Sequence, residues 1–202
     1  VGSMHVIATD VSDTKDKMAR MAKKQLEKPG FAIDPYFYRS HITYQSELEH
    51  IVFKSWLYAG HISQIPNKGD YFLVDIGEDS IIVCRDRKEQ IHAMHNMCRH
   101  RGARVCEESS GNKRTFSCPY HGWGYGLDGK LKAARDMRDV EGFDFDDYGL
   151  LHVRMEIFQG MIFINCDPDA PDFQKPLSKI SRQLGAYDLE NAKVAEAKTY
   201  RI

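Results

Sequence analysis

The chain has 202 residues, 42% of them hydrophobic and 28% charged, with a net charge of −1. That length accommodates one sizeable domain with extensions, and the composition is that of a water-soluble globular protein. The charge balance gives no electrostatic case for a nucleic acid or an anionic membrane as partner, and no apolar run approaches the roughly 20 residues of a membrane span. No secretory leader is recognisable, and Val1-Gly2-Ser3 ahead of Met4 reads as an expression remnant. The odd number of cysteines, five, points to a reducing compartment, so a cytoplasmic location is expected.

Ser12 to Lys28 carries Met18, Met21, Ala22 and Leu26 near helical spacing and stops at Pro29-Gly30. Phe31 to Ser40 is aromatic and broken by Pro35. A second short helix is predicted beyond it, with Thr43 or Ser46 as cap and Leu48, Ile51, Val52 and Trp56 on its apolar face. From Trp56 the texture changes to short strands bounded by turns. Tyr71–Ile76 and Ser80–Arg85 flank the turn Gly77-Glu78-Asp79, and Gln90–His95 follows. Thr115–Ser117 is a further short strand, and Asp128-Gly129 marks a tight hairpin. Leu151–Phe158 and Met161–Asn165 close the set. Such regular spacing predicts a mainly β fold with N-terminal helices, its sheets forming a small antiparallel β sandwich. Cys84 and Cys166 sit in apolar runs, where buried inert thiols are the default. Asp167–Pro176 reads as a linker and Leu177–Tyr187 as a short helix. Val194–Ile202 alternates like the start of a strand, which is not stable by itself.

Two motifs carry the chemistry. Cys98-Arg99-His100-Arg101-Gly102 and Cys118-Pro119-Tyr120-His121-Gly122-Trp123 pair cysteine with histidine at C-x-H and C-x-x-H spacing, with glycine close behind. Two thiolates on one iron and two imidazoles on the other form a known [2Fe-2S] ligand set. Donors one or two residues apart cannot easily wrap a single ion, but each can reach a different iron. Each loop would then straddle the pair, with Cys98 and Cys118 on the inner iron and His100 and His121 on the outer. Gly102, Gly122 and Gly124 permit positive φ and close backbone approach to cluster sulfurs. Zinc is the alternative for a Cys/His set, although its usual spacings are C-x(2–4)-C with H-x(3–5)-H.

These motifs resemble the Rieske domain of Rieske non-haem iron oxygenase α subunits, the aromatic-ring-hydroxylating and quaternary-ammonium type. The resemblance continues through Tyr125–Gly129, Glu141–Asp144, Asp147–Leu150 and Gly160–Asn165, covering residues 36–170. It implies a Rieske-type antiparallel β sandwich with two cluster-binding loops, and a [2Fe-2S] cluster on Cys98, His100, Cys118 and His121. Arg101, Tyr120, Trp123 and Tyr125 would surround the cluster. In that family a flavin or ferredoxin-type reductase supplies single electrons. They pass to a mononuclear Fe(II) in a separate catalytic domain, for O2-dependent hydroxylation or demethylation in a homotrimer.

The catalytic iron's D/N-x-x-H-x(4–5)-H motif does not occur here. The only H-x(4)-H runs from His95 to His100, itself a cluster ligand, and the residue three before His95 is His92. His5, His41, His50, His61 and His152 read as surface or core residues. The expected organisation is therefore a helical extension (1–55), a Rieske domain (56–166), and a linker, helix and first strand of a catalytic domain (167–202). Taken alone, this chain is expected to hold no catalytic residue and to be non-catalytic. A free-standing Rieske ferredoxin is the alternative, which the N-terminal region and the segment after Pro176 disfavour.

The high-potential Rieske proteins of respiratory complexes add a cysteine to each loop and a serine two residues after the second histidine. Ala103, Tyr120 and Trp123 stand at those places, so the resemblance implies a low potential, with Tyr125 left to donate to a sulfur. The acidic stretch Asp136, Asp139, Glu141, Asp144, Asp146 and Asp147 reads as a solvated loop, or as a docking surface for a reductase or neighbouring subunit. Arg101 and Arg104 could pair with carboxylates across a subunit contact or raise the potential. Tyr125–Gly129 leans toward quaternary-ammonium substrates, while aromatic-ring dioxygenases carry similar loops.

Overall fold

The structure, a computed structural model, describes residues 12–137 and 139–195, with Lys198 and Tyr200. Val1-Gly2-Ser3 and much of the segment Val194–Ile202 lie outside the described residues. Val194 and Ala195 are in no strand. The chain divides into two compact units, Val1–Lys54 and Ser55–Ile202.

In the first unit, α1 spans Lys15–Leu26, with Thr14 Oγ1 accepting the Lys17 amide (3.2 Å) as its cap. Two short helices and a π-helical turn occupy residues 35–52, where the sequence predicts one helix capped by Thr43 or Ser46. Pro35 opens α2 (Pro35–Arg39) rather than breaking it, because its fixed φ suits a first helical position and its missing amide is one the helix leaves unpaired anyway. Ser40 ends α2 and caps α3 (His41–Glu47), its Oγ accepting the Thr43 amide at 3.0 Å. Thr43 and Ser46 are therefore not caps. A π-helical turn, Leu48–Val52, follows, in which Leu48 is buried and Ile51 exposed. Asp13 gathers these pieces, accepting from Tyr36 Oη (2.7 Å), Ser40 Oγ (2.9 Å) and the Ile42 amide (3.1 Å).

The second unit is built from three antiparallel sheets. The central one has β4 (Ile91–His95), β3 (Asp79–Arg85), β2 (Asp70–Ile76) and β5 (Ser110–Asn112) side by side in that order. Ser80 to Cys84 are all buried, so β3 is covered on both faces. Each isoleucine or valine buried there contributes roughly 1.5–3 kcal/mol. A second sheet, β6 (Phe116–Ser117), β7 (Gly124–Tyr125) and β8 (Leu131–Ala133), carries the second motif. The Asp128-Gly129 turn joins β7 to β8, with Gly129 at φ +77. The third sheet orders β1 (Leu57–His61), β10 (Met161–Asn165) and β9 (Arg154–Phe158).

Between the first two sheets lies the core: Tyr71, Ile82, Cys84 and Met94 from one side, and Phe116, Tyr125 and Leu131 from the other. Trp56 is not part of a helix. Its ring packs on Phe173 (4.9 Å) and its Nε1 donates to the Pro171 carbonyl (2.9 Å). The segment after Asn165 is thus held to its own unit, with Ala170 and Phe173 buried. Helix α4 covers Gln174–Leu184, starting three residues before the predicted Leu177, where Asp172 accepts the Gln174 amide (2.9 Å). Among the described residues no helix is long and apolar enough to cross a membrane.

Asp86 organises the turn between β3 and β4. Its Oδ1 accepts the Lys88 and Gln90 amides (2.8 Å each) and its Oδ2 meets His92 Nε2 (3.0 Å). Burial pushes this carboxyl up, but the hydrogen bonds from His92, Gln90 and Lys88 outweigh it and hold the pKa below 3.8. A depressed native pKa adds stability that is present above the unfolded value and lost as pH falls through the native one. Asp86→Ala, which orphans two amides, should therefore cost about 2 kcal/mol at neutral pH. That deficit should shrink as pH drops below 3.8, which urea titrations in neutral and acidic buffer will measure.

Candidate metal centre

Two loops with one backbone frame form the site. In the first, the Cys98 amide donates to the Ala103 carbonyl (2.8 Å) and the Gly102 amide to the Cys98 carbonyl (2.9 Å). In the second, the Cys118 amide donates to the Trp123 carbonyl (2.8 Å) and the Gly122 amide to the Cys118 carbonyl (3.0 Å). Cysteine opens each six-residue loop, and glycine holds its fifth position at nearly the same angle, φ +73 at Gly102 and +72 at Gly122. A Cβ at Gly122 would meet nothing within 4 Å, so glycine is needed there for its backbone conformation rather than for space. Histidine is third in one loop and fourth in the other, which is the whole difference between the C-x-H and C-x-x-H spacings.

This frame separates the donors. Cys98 and Cys118 are buried members of the core and lie within hydrogen-bonding reach of one another. His100 and His121 are exposed, with ring centroids 4.6 Å apart. The His121 pKa is held below 6.5 by its local desolvation and by the His100 and Arg101 charges, which favours the neutral, ligating imidazole. The Cys98 thiol is raised by burial, against the hydrogen bond from Tyr125. Iron would displace that proton, because the thiolate is the binding form. Tyr125 is fully buried. Its Oη accepts the Arg99 amide (3.0 Å) and lies 3.2 Å from Cys98 Sγ, which leaves the phenolic proton for the sulfur. Burial and the contact with Cys98 both raise the Tyr125 pKa, so it remains a donor.

Aromatic rings fix the imidazoles. His100 stacks on Trp123 (4.9 Å, 9° between planes), and Tyr120 lies against His121 at 3.9 Å. Trp123 is itself walled by Phe143 (5.7 Å) and Tyr148 (5.8 Å). Trp123 therefore does more than stand where a hydroxyl is missing, because it is the surface on which His100 rests. Phe143 and Tyr148 were not singled out from the sequence, being masked by the acidic residues around them. Within that stretch Asp144 caps the turn Phe145–Tyr148, accepting the Asp146 amide at 2.9 Å.

The other predicted residues separate clearly. Arg101 stands exposed beside His121. Arg104 finds its carboxylate within its own unit, Asp75 at 3.6 Å, and also donates to the Glu78 carbonyl. As an exposed pair it contributes little to stability. Burial pushes the Cys84 thiol up to about 12 and the Cys106 thiol up to about 11. Both behave as inert core residues, and Cys84 Sγ donates to the Leu127 carbonyl (3.2 Å). Among the described residues no three His, Cys, Asp or Glu side chains converge to hold a single ion. A two-iron cluster asks each iron for only two protein ligands, and the buried thiol pair below an exposed imidazole pair matches that division.

Comparison with known proteins agrees. Residues 55–144 match the family described as the Rieske [2Fe-2S] domain. The α subunit of biphenyl 2,3-dioxygenase from Rhodococcus jostii is 40% identical over 148 residues, which is 73% of this chain and 32% of the relative. The oxygenase subunit of glycine betaine monooxygenase from Pseudomonas aeruginosa is 36% identical over 171 residues, 85% of this chain and 40% of the relative. The crystal structure of naphthalene 1,2-dioxygenase from Rhodococcus sp. superposes with a TM-score of 0.73 at 30% identity, covering 85% of this chain and 40% of that one. The chain thus spans less than half the length of these proteins. Residues 55–144 are therefore a Rieske [2Fe-2S] domain, and the chain that carries them is similar to part of the oxygenase α subunits.

Proposed function

We propose that this chain is the electron-delivery part of a terminal oxygenase. It would take single electrons from a reductase and pass them to a mononuclear non-haem iron that performs O2-dependent hydroxylation or demethylation. The observation that carries this reading is the buried pair Cys98 and Cys118 beneath the exposed pair His100 and His121, on two loops of one frame. Cys98 and Cys118 would hold one iron as thiolates, and His100 and His121 the other through neutral imidazoles. When bound, such a cluster supplies one-electron storage at a potential of roughly −150 to +300 mV. The protein seals the sulfur side within the core and leaves the imidazole side at the surface, where a donor or acceptor can approach. Tyr125 donates toward Cys98 Sγ, and Trp123 with Tyr120 keeps the imidazoles from turning.

The relatives named above act, by their names, on biphenyl and on glycine betaine, an aromatic and a quaternary ammonium compound. Both match this part of their chains, so the shared region carries electron delivery and the choice of substrate lies elsewhere. The mononuclear Fe(II), a homotrimeric assembly and a flavin or ferredoxin-type reductase belong to the same proposal. So do the division into an extension (1–55), Rieske domain (56–166) and following segment (167–202), and a cytoplasmic location.

Reconstituted protein should contain about two irons and two acid-labile sulfides per chain and take up one electron. Cys98→Ser or Cys118→Ser should abolish the visible absorption, and His100→Ala or His121→Ala should abolish the mixed-ligand EPR signal of the reduced state. Loss of colour on Cys106→Ser, with retention on Cys98→Ser, would refute the ligand set. A flavin or iron–sulfur reductase with NADH should bleach the oxidised spectrum, and failure with every such reductase would count against the relay.

A hydrogen bond to a ligand sulfur stabilises the reduced, more negative state. With the cysteine bridge and the serine of high-potential proteins replaced, the midpoint should lie low in the family range, on the order of −150 to 0 mV. Tyr125→Phe should lower it by about 40 mV, taking about 1 kcal/mol for the bond and 59 mV per tenfold change for one electron. Film voltammetry of the two proteins at one pH measures the difference, and an unchanged midpoint would remove Tyr125 from the set of residues that tune it.

A further inference from the structure

The two metal-binding loops share a frame but are closed at their stems by different means. The second leaves β6 and returns as β7, and the pairs Phe116↔Tyr125 and Ser117↔Gly124 hold its ends together. The first leaves β4 at His95, which pairs with Ile81 of β3. Its returning end, Val105-Cys106, lies in no strand. One side chain holds that end instead.

Asn96 is 2% exposed. Its Oδ1 accepts the amides of Val105 (3.0 Å) and Cys106 (2.9 Å). Its Nδ2 donates to the Cys106 carbonyl (2.7 Å) and to Ser80 Oγ (3.3 Å). A side-chain amide offers two donors and two acceptor sites, and all four are used. The backbone amide of Asn96 also donates to the Ser80 carbonyl (2.8 Å), seating the residue against β3, the strand buried on both faces. The amide therefore makes, from one residue, the connections that a strand pair makes for the other loop.

Taking Cys98, His100, Cys118 and His121 as the cluster ligands, we propose that Asn96 is the positioning residue of the first loop. It substitutes for a missing strand ladder and sets where Cys98 and His100 stand relative to the second loop. Removing it should leave Cys118 and His121 in place while the first loop opens. A residue serving only the stability of the fold would leave the metal centre's spectrum alone. Asn165 provides that comparison, being fully buried at the far end of β10, where it accepts the Asp167 amide at 2.9 Å.

The test compares Asn96→Ala and Asn165→Ala with wild type in reconstituted protein. Three quantities are read: the EPR g-values of the reduced state, the rate of loss of visible absorption in excess chelator, and hydrogen exchange over residues 95–107 and 117–126. Asn96→Ala should shift the g-values and lose colour about tenfold faster, with exchange accelerated at Val105-Cys106 and unchanged in the second loop. Asn165→Ala should lower the melting temperature without moving the spectrum. A wild-type spectrum and wild-type rate of colour loss in Asn96→Ala would overturn the role while leaving the ligand set standing. A wild-type protein that forms no [2Fe-2S] spectrum would overturn both. If Asn96→Ala is insoluble, Asn96→Ser is read in the same way. Fast exchange at Val105-Cys106 in the wild-type protein would overturn the role whatever the variants do.

Discussion

The site depends on one constraint: two sulfurs must be dry while two imidazoles, two or three residues further along, are wet. The repeated loop frame meets it. Hydrogen bonds between the cysteine backbone and positions five and six tie each loop at its base. The first position then faces the core, and the third or fourth faces outward. The central and second sheets form the walls of the core that receives the sulfurs. The aromatic residues at the mouth, Trp123 and Tyr120 in contact with the imidazoles and Phe143 and Tyr148 behind Trp123, restrict the outer half.

What could be read from the sequence follows the reach of each signal. Cysteine, histidine and glycine at short fixed spacing report on a single loop, so the motif was legible residue by residue. Alternating apolar runs report on strands, and β2, β3, β4, β6, β9 and β10 lie close to where the pattern put them, while β1 and the exposed β5 carried no such run. Helix ends were harder. Thr43 and Ser46 have the right chemistry for a cap, but Ser40 and Asp34 stand where the chain turns, and Pro35 opens a helix in a stretch for which none was predicted. Trp56 fitted a helical stripe, although its partners Pro171 and Phe173 lie more than a hundred residues away.

The role of Asn96 was not legible for a related reason. Nothing local distinguishes an asparagine two residues before a cysteine. Its meaning comes from Ser80 on a neighbouring strand and from Val105 and Cys106 across the loop. Phe143 and Tyr148 were hidden in a stretch whose charges drew attention, and only the folded chain brings them behind Trp123. Arg104 shows the converse, since a residue that invited an intermolecular explanation has its partner on β2 of the same unit.

Cys98 and Cys118 are counted among the packed residues between the two sheets, beside Phe116, Trp123 and Tyr125. Metal insertion and completion of the interior are therefore coupled events. A chain made faster than iron and sulfide arrive would hold two unligated thiols in its core, without the ties between the two loops that a cluster supplies. Such a form is open to quality control in a way that the loaded protein is not. The yield of intact protein would then follow the supply of iron and sulfide during synthesis as closely as it follows the rate of translation.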